Sequence, residues 1–205
     1  EVLKSFLQAS FLENWLAMVT PYVLRGQVWR LLSYGFLHDG PIHLLFNMLA
    51  VWFVGRELES MYGRKDFLGL YLTGILFGGL GTIVLELSTR ESSFMVGASA
   101  GVMALLTVYT LHFPRRVFYI WGLFPIEARW ALGVYILCNL IPVIRTLNDK
   151  DYPSQGIAYA AHLGGGIYGY LFYKIRWYPF RSVQIGSWRS IRRSAGFGPR
   201  LKVVR

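Results

Sequence analysis

Residues 67–87, FLGLYLTGILFGGLGTIVLEL, decide the fold. A helix rising about 1.5 Å per residue would carry this run across the roughly 30 Å hydrocarbon core of a bilayer. Reading outward with the same window, four further segments qualify: about Pro41–Leu58, Val96–Phe113, Ala128–Ile144 and Ala158–Ile175. Each is bounded by charge or turn residues, at Arg64-Lys65-Asp66, Arg90-Glu91, Pro114-Arg115-Arg116 and the stretch from Arg145 to Pro153. None alternates apolar with polar residues as a half-buried strand does. Five such runs in 205 residues predict an all-α polytopic membrane helix bundle.

Composition agrees. The chain is 54% apolar and 16% charged, where soluble domains carry about a quarter charged residues. Its 17% aromatic content excludes a disordered chain. The single cysteine, Cys138, excludes a disulfide framework and a Cys-rich zinc site. No other cluster has metal-ligand spacing and no glycine-rich loop follows a strand, so neither metal nor other cofactor is expected. The net charge of +10 is gathered in the tail, at Lys174, Arg176, Arg181, Arg189, Arg192, Arg193, Arg200, Lys202 and Arg205.

Basic residues in short loops stay on the cytoplasmic side, which puts the C-terminus there. Counting back, the loops with Arg115-Arg116 and Arg64-Lys65 lie inside, and those near Arg90 and Asp149-Lys150-Asp151 outside. Trp177, Tyr178, Phe180 and Trp188 among the tail's charges suit an anionic lipid surface; nucleic acid is not an expected partner. A multi-pass protein, of the cell membrane, is the expected setting. Residues 1–40 read as an outer-face loop with an interfacial stripe (Phe6, Phe11, Leu12, Trp15, Leu16, Met18, Val19). Residues 41–176 read as the bundle and 177–205 as a basic cytoplasmic tail. The chain opens on Glu1 without a signal-like head, so an upstream segment is expected.

Polar groups inside a bilayer are costly and tend to face one another or a water-filled cavity. His43 and Asn47 lie four apart on one face of the first run. Ser99 stands in Gly97-Ala98-Ser99-Ala100-Gly101, and His162 in the last run, followed by Gly165 and Gly169. A serine between small residues more often packs helices than attacks carbonyls. The combination of serine, two histidines and an asparagine points instead to nucleophilic catalysis, with Ser99 activated by neutral His162. Gly165 and Gly169 form a small-residue stripe that would let the last helix approach the Ser99 helix closely. His43 and Asn47 could then donate to a developing oxyanion.

In these residues the sequence resembles the rhomboid family of intramembrane serine proteases. The matching pieces are Trp29-Arg30, the H-x-x-x-N of His43 to Asn47, the G-x-S of Gly97 to Ser99, and A-H-x-x-G-x-x-x-G from Ala161 to Gly169. They follow the family's order over roughly Gln27 to Ile175. The resemblance implies a catalytic dyad of Ser99 and His162 without an acid. It implies an oxyanion site of His43, Asn47 and the Ser99 N–H, and a loop-bracing pair of Arg30 and Glu59. It also implies a six-span core, of which five spans are seen here, and transmembrane proteins as substrates in the bilayer; it implies no oligomeric state. Two positions depart from the pattern: Ala100 follows the serine where glycine is common, and Met103 stands where some members pack an aromatic on the histidine.

Three other readings compete. A rhomboid-like pseudoprotease would bind or escort membrane clients after losing the serine or the histidine, yet both are present. The G-x-S-x-G pattern with Asp149 or Asp151 and His162 also matches a soluble α/β-hydrolase, but residues 90–93 offer no strand. A transporter would show paired charges or broken helices in corresponding halves, and neither is seen. Of the other histidines, His112 is expected to complement a helix C-terminus and His38 to make a structural hydrogen bond. Pro125 and Pro142 are expected to bound or kink the fourth helix.

Overall fold

The run at 67–87 forms the middle of a longer helix, Arg64–Thr89. A computed structural model describes residues 11–90, 92–120, 123–149 and 156–175. Phe6 of the N-terminal stripe, Lys150 and Asp151 of the outer turn, and the tail from Arg176 lie outside the described residues. In chain order come a helical segment α1 (residues 11–16), α2 Thr20–Leu24, and α3 Arg30–Ser33 with a 3-10 turn Tyr34–Phe36. Then follow α4 Pro41–Tyr62, α5 Arg64–Thr89 and α6 Ser99–His112. A hairpin of β1 Val117–Ile120 and β2 Phe124–Glu127 precedes α7 Ala128–Asn148 and α8 Gly156–Ile175.

Local chemistry sets these boundaries. Pro41 occupies the first turn of α4, where its missing N–H has no helical partner to lose. Gly63, at φ +80, ends α4 and starts α5 in a single residue, a reversal only glycine makes without strain. Pro142 lies inside α7 and is absorbed there, whereas Pro125 sits in β2, ahead of the helix.

All five expected runs are helical, but two of them, α5 and α7, are long and apolar enough to cross a membrane. The third run is shorter than expected. Val96 to Ala98 are not helical, because Gly97 adopts φ +124, so Ser99 begins α6 rather than lying within it. With fourteen residues, α6 is about 21 Å long, well short of a roughly 30 Å hydrocarbon core.

The hairpin departs from the sequence expectation of a plain charged loop. Its strands pair antiparallel, Val117 with Glu127 through Ile120 with Phe124. The β-branched and aromatic run VFYI favours that extended state. Nearby backbone carbonyls also cap α7. Arg116 O accepts from Ala128 N–H at 2.8 Å, and Pro114 O from Arg129 N–H at 3.1 Å, satisfying donors a helix start leaves over.

α6 is the axis of the bundle, flanked by α5 and α8, with Ala100, Met103, Ala104, Leu105 and Val108 all buried. Small residues set the spacing on both sides. A Cβ built on Gly165 would overlap the carbonyl of Ala100, and one on Gly169 would meet that of Ala104. Across α6, Gly78 and Gly74 of α5 face Ala100 and Ala104 in the same way. The close approach is that of small-residue helix packing in membranes. At the end of α6 away from Ser99, His112 closes the helix, bonds the Tyr62 hydroxyl of α4 and meets the Tyr173 ring of α8 edge-on at 4.9 Å.

α7 is patterned inside out. Its buried residues include Asn139 and Thr146, while Val134, Leu137, Ile141, Ile144 and Leu147 are exposed. Water would penalise such a face; a lipid solvent favours it, since only polar groups then gain from turning inward.

Candidate active site

Ser99 Oγ and His162 Nε2 stand 2.7 Å apart. The serine occupies the first turn of α6, and the imidazole reaches it from the second turn of α8. Gly165, one turn beyond His162, rests on Ala100, the residue after the serine. The same close packing that joins the two helices therefore sets the distance between hydroxyl and ring. Both side chains are half-buried, which leaves them within reach of solvent.

Gly97 brings in His43. Its φ of +124 is barred to residues with a Cβ. A Cβ built there would lie 2.7 Å from His43 Cε1, 3.0 Å from His43 Nε2 and 3.8 Å from Ser99 Oγ. The imidazole of α4 and the serine hydroxyl thus face one another across a bare backbone. Asn47, buried one turn further along α4, gives one amide N–H to the His43 carbonyl at 3.0 Å; an amide carries two such donors. The first backbone bond into α6 is Val102 N–H to Ala98 O, at 3.1 Å. The N–H groups of Ser99, Ala100 and Gly101 precede it and carry the positive end of the helix dipole. Donors of this kind beside a nucleophile are what an oxyanion requires.

His38 differs from expectation. Its Nε2 is buried without a hydrogen-bond partner among the described residues, and its ring packs edge-on against His43 at 5.2 Å. Burial, with His43 close by, holds its imidazole below the usual histidine pKa.

The loop before Ser99 is braced by the N-terminal segment. Met18 and Met95 exchange backbone hydrogen bonds of 2.9 and 3.1 Å, and Gly97 N–H bonds the Tyr34 carbonyl at 3.0 Å. The buried Tyr34 hydroxyl bonds Ile75 O at 2.7 Å, fixing the brace to α5. Arg30 locks the segment. Its guanidinium donates to Ala17 O at 2.7 Å, Asn14 O at 2.6 Å and Gln27 Oε1 at 2.7 Å.

The expected pairing of Arg30 with Glu59 is not formed. Glu59 lies eighteen residues beyond Pro41, about 27 Å along α4, near the C-terminal end of that helix, where it is exposed. The ion pair at that end joins Glu57 and Arg116 at 2.6 Å. Arg30 braces the loop through carbonyls instead. Arg30→Ala is expected to lower stability by about 3 kcal/mol, since charge-assisted bonds are lost and buried carbonyls orphaned. Arg30→Lys should recover little of it, an ammonium having no planar fork to span the acceptors. Thermal unfolding in detergent checks both.

Two residues that sequence reasoning passed over complete the site. Asn139 Oδ1 lies 2.7 Å from His162 Nδ1, and the Tyr135 hydroxyl lies 3.2 Å from the same nitrogen. The Tyr135 ring centre is 5.8 Å from that of His162, tilted by 49°. The aromatic neighbour absent at Met103 is thus supplied by α7. The signal was present: an amide in the middle of an apolar run, four residues after a tyrosine.

Comparison with known proteins gives the context. Residues 25–179 match the Rhomboid domain family. The chain is 38% identical over 148 residues to Rhomboid protease GluP of Bacillus subtilis, covering 72% of this chain and 26% of that protein. It is 33% identical over 156 residues to Rhomboid-related protein 1 of Caenorhabditis elegans, covering 73% and 40%. Against Rhomboid protease GlpG of Yersinia pestis it is 28% identical over 169 residues, covering 77% and 51%. The chain thus spans about half or less of the length of these relatives.

Proposed function

The chain belongs to the rhomboid family, and from that premise we propose that it is an intramembrane serine endopeptidase acting on transmembrane segments of other proteins. The observation that carries this is the 2.7 Å contact between Ser99 Oγ and His162 Nε2 at the head of α6. His162 takes the Ser99 proton as Oγ attacks the scissile carbonyl. The oxyanion that forms is held by His43, Asn47 and the Ser99 N–H. His162 then returns the proton to the leaving amine, and a water repeats the cycle on the acyl-enzyme.

The shortness of α6 supports placing this chemistry below the membrane surface. Its 21 Å or so falls roughly 9 Å short of the hydrocarbon core, and the loop at 92–98 fills that depth. Water reaches the site from the outer face, beneath the loop from His38 to Pro41. A client helix must open locally to offer its carbonyl, so small or helix-breaking residues near the cut favour cleavage. The chain crosses the bilayer five times, by α4, α5, α7, α8 and by α6 together with the loop at 92–98, with the C-terminus in the cytoplasm of a cell-membrane protein.

Retention of both the hydroxyl and the imidazole favours the enzyme over a silent client-binding relative. A fluorophosphonate probe is expected to label the detergent-solubilised protein at Ser99, mapped by mass spectrometry. Failure to label Ser99 in folded protein would favour the silent alternative.

A further inference from the structure

We propose that Asn139 of α7 is a positioning residue for the Ser99–His162 pair: it accepts the Nδ1–H of His162 and so holds the imidazole in the tautomer whose Nε2 can take the serine proton. This rests on the dyad assigned above and extends it to a third helix.

The amide's orientation follows from its bonds. Asn139 Nδ2 donates to the Tyr135 carbonyl at 2.7 Å, which turns Oδ1 toward His162 Nδ1, also at 2.7 Å. An amide oxygen only accepts, so Nδ1 carries the hydrogen. A neutral imidazole has one N–H, and Nε2 therefore presents its lone pair to Ser99 Oγ at 2.7 Å. The opposite tautomer would set two lone pairs against each other at Asn139 and turn an N–H toward the nucleophile. The Tyr135 hydroxyl, at 3.2 Å, lends a lone pair to the same Nδ1–H from further away.

Asn139 is only 3% exposed, and an amide at that depth is costly unless both its ends are bonded. Both are. The amide stays neutral through the cycle. When Ser99 gives its proton to Nε2, the imidazolium keeps Nδ1–H on Asn139 and directs Nε2–H to the leaving nitrogen. No acid is needed for this, only an acceptor that does not move.

Three variants test the proposal in the full chain reconstituted with a transmembrane client: Asn139→Leu and Asn139→Ala, which remove the acceptor, and Asn139→Asp, which keeps it. Leucine and alanine are expected to lower kcat by about 10²-fold, the scale of a misplaced catalytic group, with KM unchanged. Fluorophosphonate labelling of Ser99 should slow in parallel, with the thermal midpoint of the leucine variant at or above that of the parent. Aspartate should recover most of kcat. Parental turnover in the leucine and alanine variants, a loss confined to KM, or a loss shared equally by aspartate would overturn the proposal. Ser99→Ala measured alongside separates the two levels. If it still cleaves, the dyad fails; if it is silent while Asn139→Leu turns over normally, only the role of Asn139 fails.

Discussion

Ser99→Ala is expected to reduce cleavage of a reconstituted client by roughly 10⁴-fold or more, the loss that follows when a serine nucleophile is removed from an otherwise intact site. Deleting Oγ leaves the oxyanion donors, so a faint residue of activity is expected. His162→Ala should fall about as far, because hydroxyl and imidazole act as a unit and their losses do not add. Neither change touches the contacts that set the helix spacing, Gly165 on Ala100 and Gly169 on Ala104, though losing the imidazole orphans the buried Asn139 Oδ1. The thermal midpoint of Ser99→Ala, half-exposed at a helix start, should therefore stay within a few degrees of the parent. Cleavage that survives either substitution would end the assignment of the dyad.

Gly165→Val is expected to damage both stability and turnover through packing alone. A Cβ at 165 would overlap the Ala100 carbonyl, and its next contacts are the backbone carbon at 2.7 Å and Cα at 3.0 Å. Backbone cannot rotate aside as a flexible side chain can, so α8 must slide away from α6. Overpacking of this kind costs about 1–3 kcal/mol, or roughly 2–4 °C in the unfolding midpoint for each kcal/mol in a chain of this size. The displacement also carries His162, three residues back, off the serine, and an error near 1 Å is worth about 10²-fold in rate. Gly133→Ala is the control: nothing lies within 4 Å of a Cβ at that position of α7, so stability should change by less than about 1 kcal/mol. Equal behaviour of the two variants would sink the account of Gly165.

The helices of the bundle were legible because a span must be long, apolar and bounded by charge, and those properties are local. Ser99, His162, His43 and Asn47 were legible as polar groups in costly places. Features that depend on what crosses from another element were not. The loop brace is one: Arg30 takes carbonyls of residues 14 and 17, and no side-chain pattern announces a carbonyl. The start of α6 is another, since the apolar run continues through Val96 while the backbone turns at Gly97. The hairpin at 117–127 was hidden by its four-residue strands, too short to display alternation. Asn139 was visible as an oddity, but its partner lies twenty-three residues away on α8.

The bare backbone at position 97 supplies a sorting rule for kindred genes. A chain may keep its nucleophile and base yet carry alanine or anything larger two places ahead of the serine. Such a chain would drive the α4 imidazole aside and forfeit the left-handed bend that aims the hydroxyl. Inventories that score only the reactive pair would file that chain among the living enzymes, and a census of this one position would move it to the extinct.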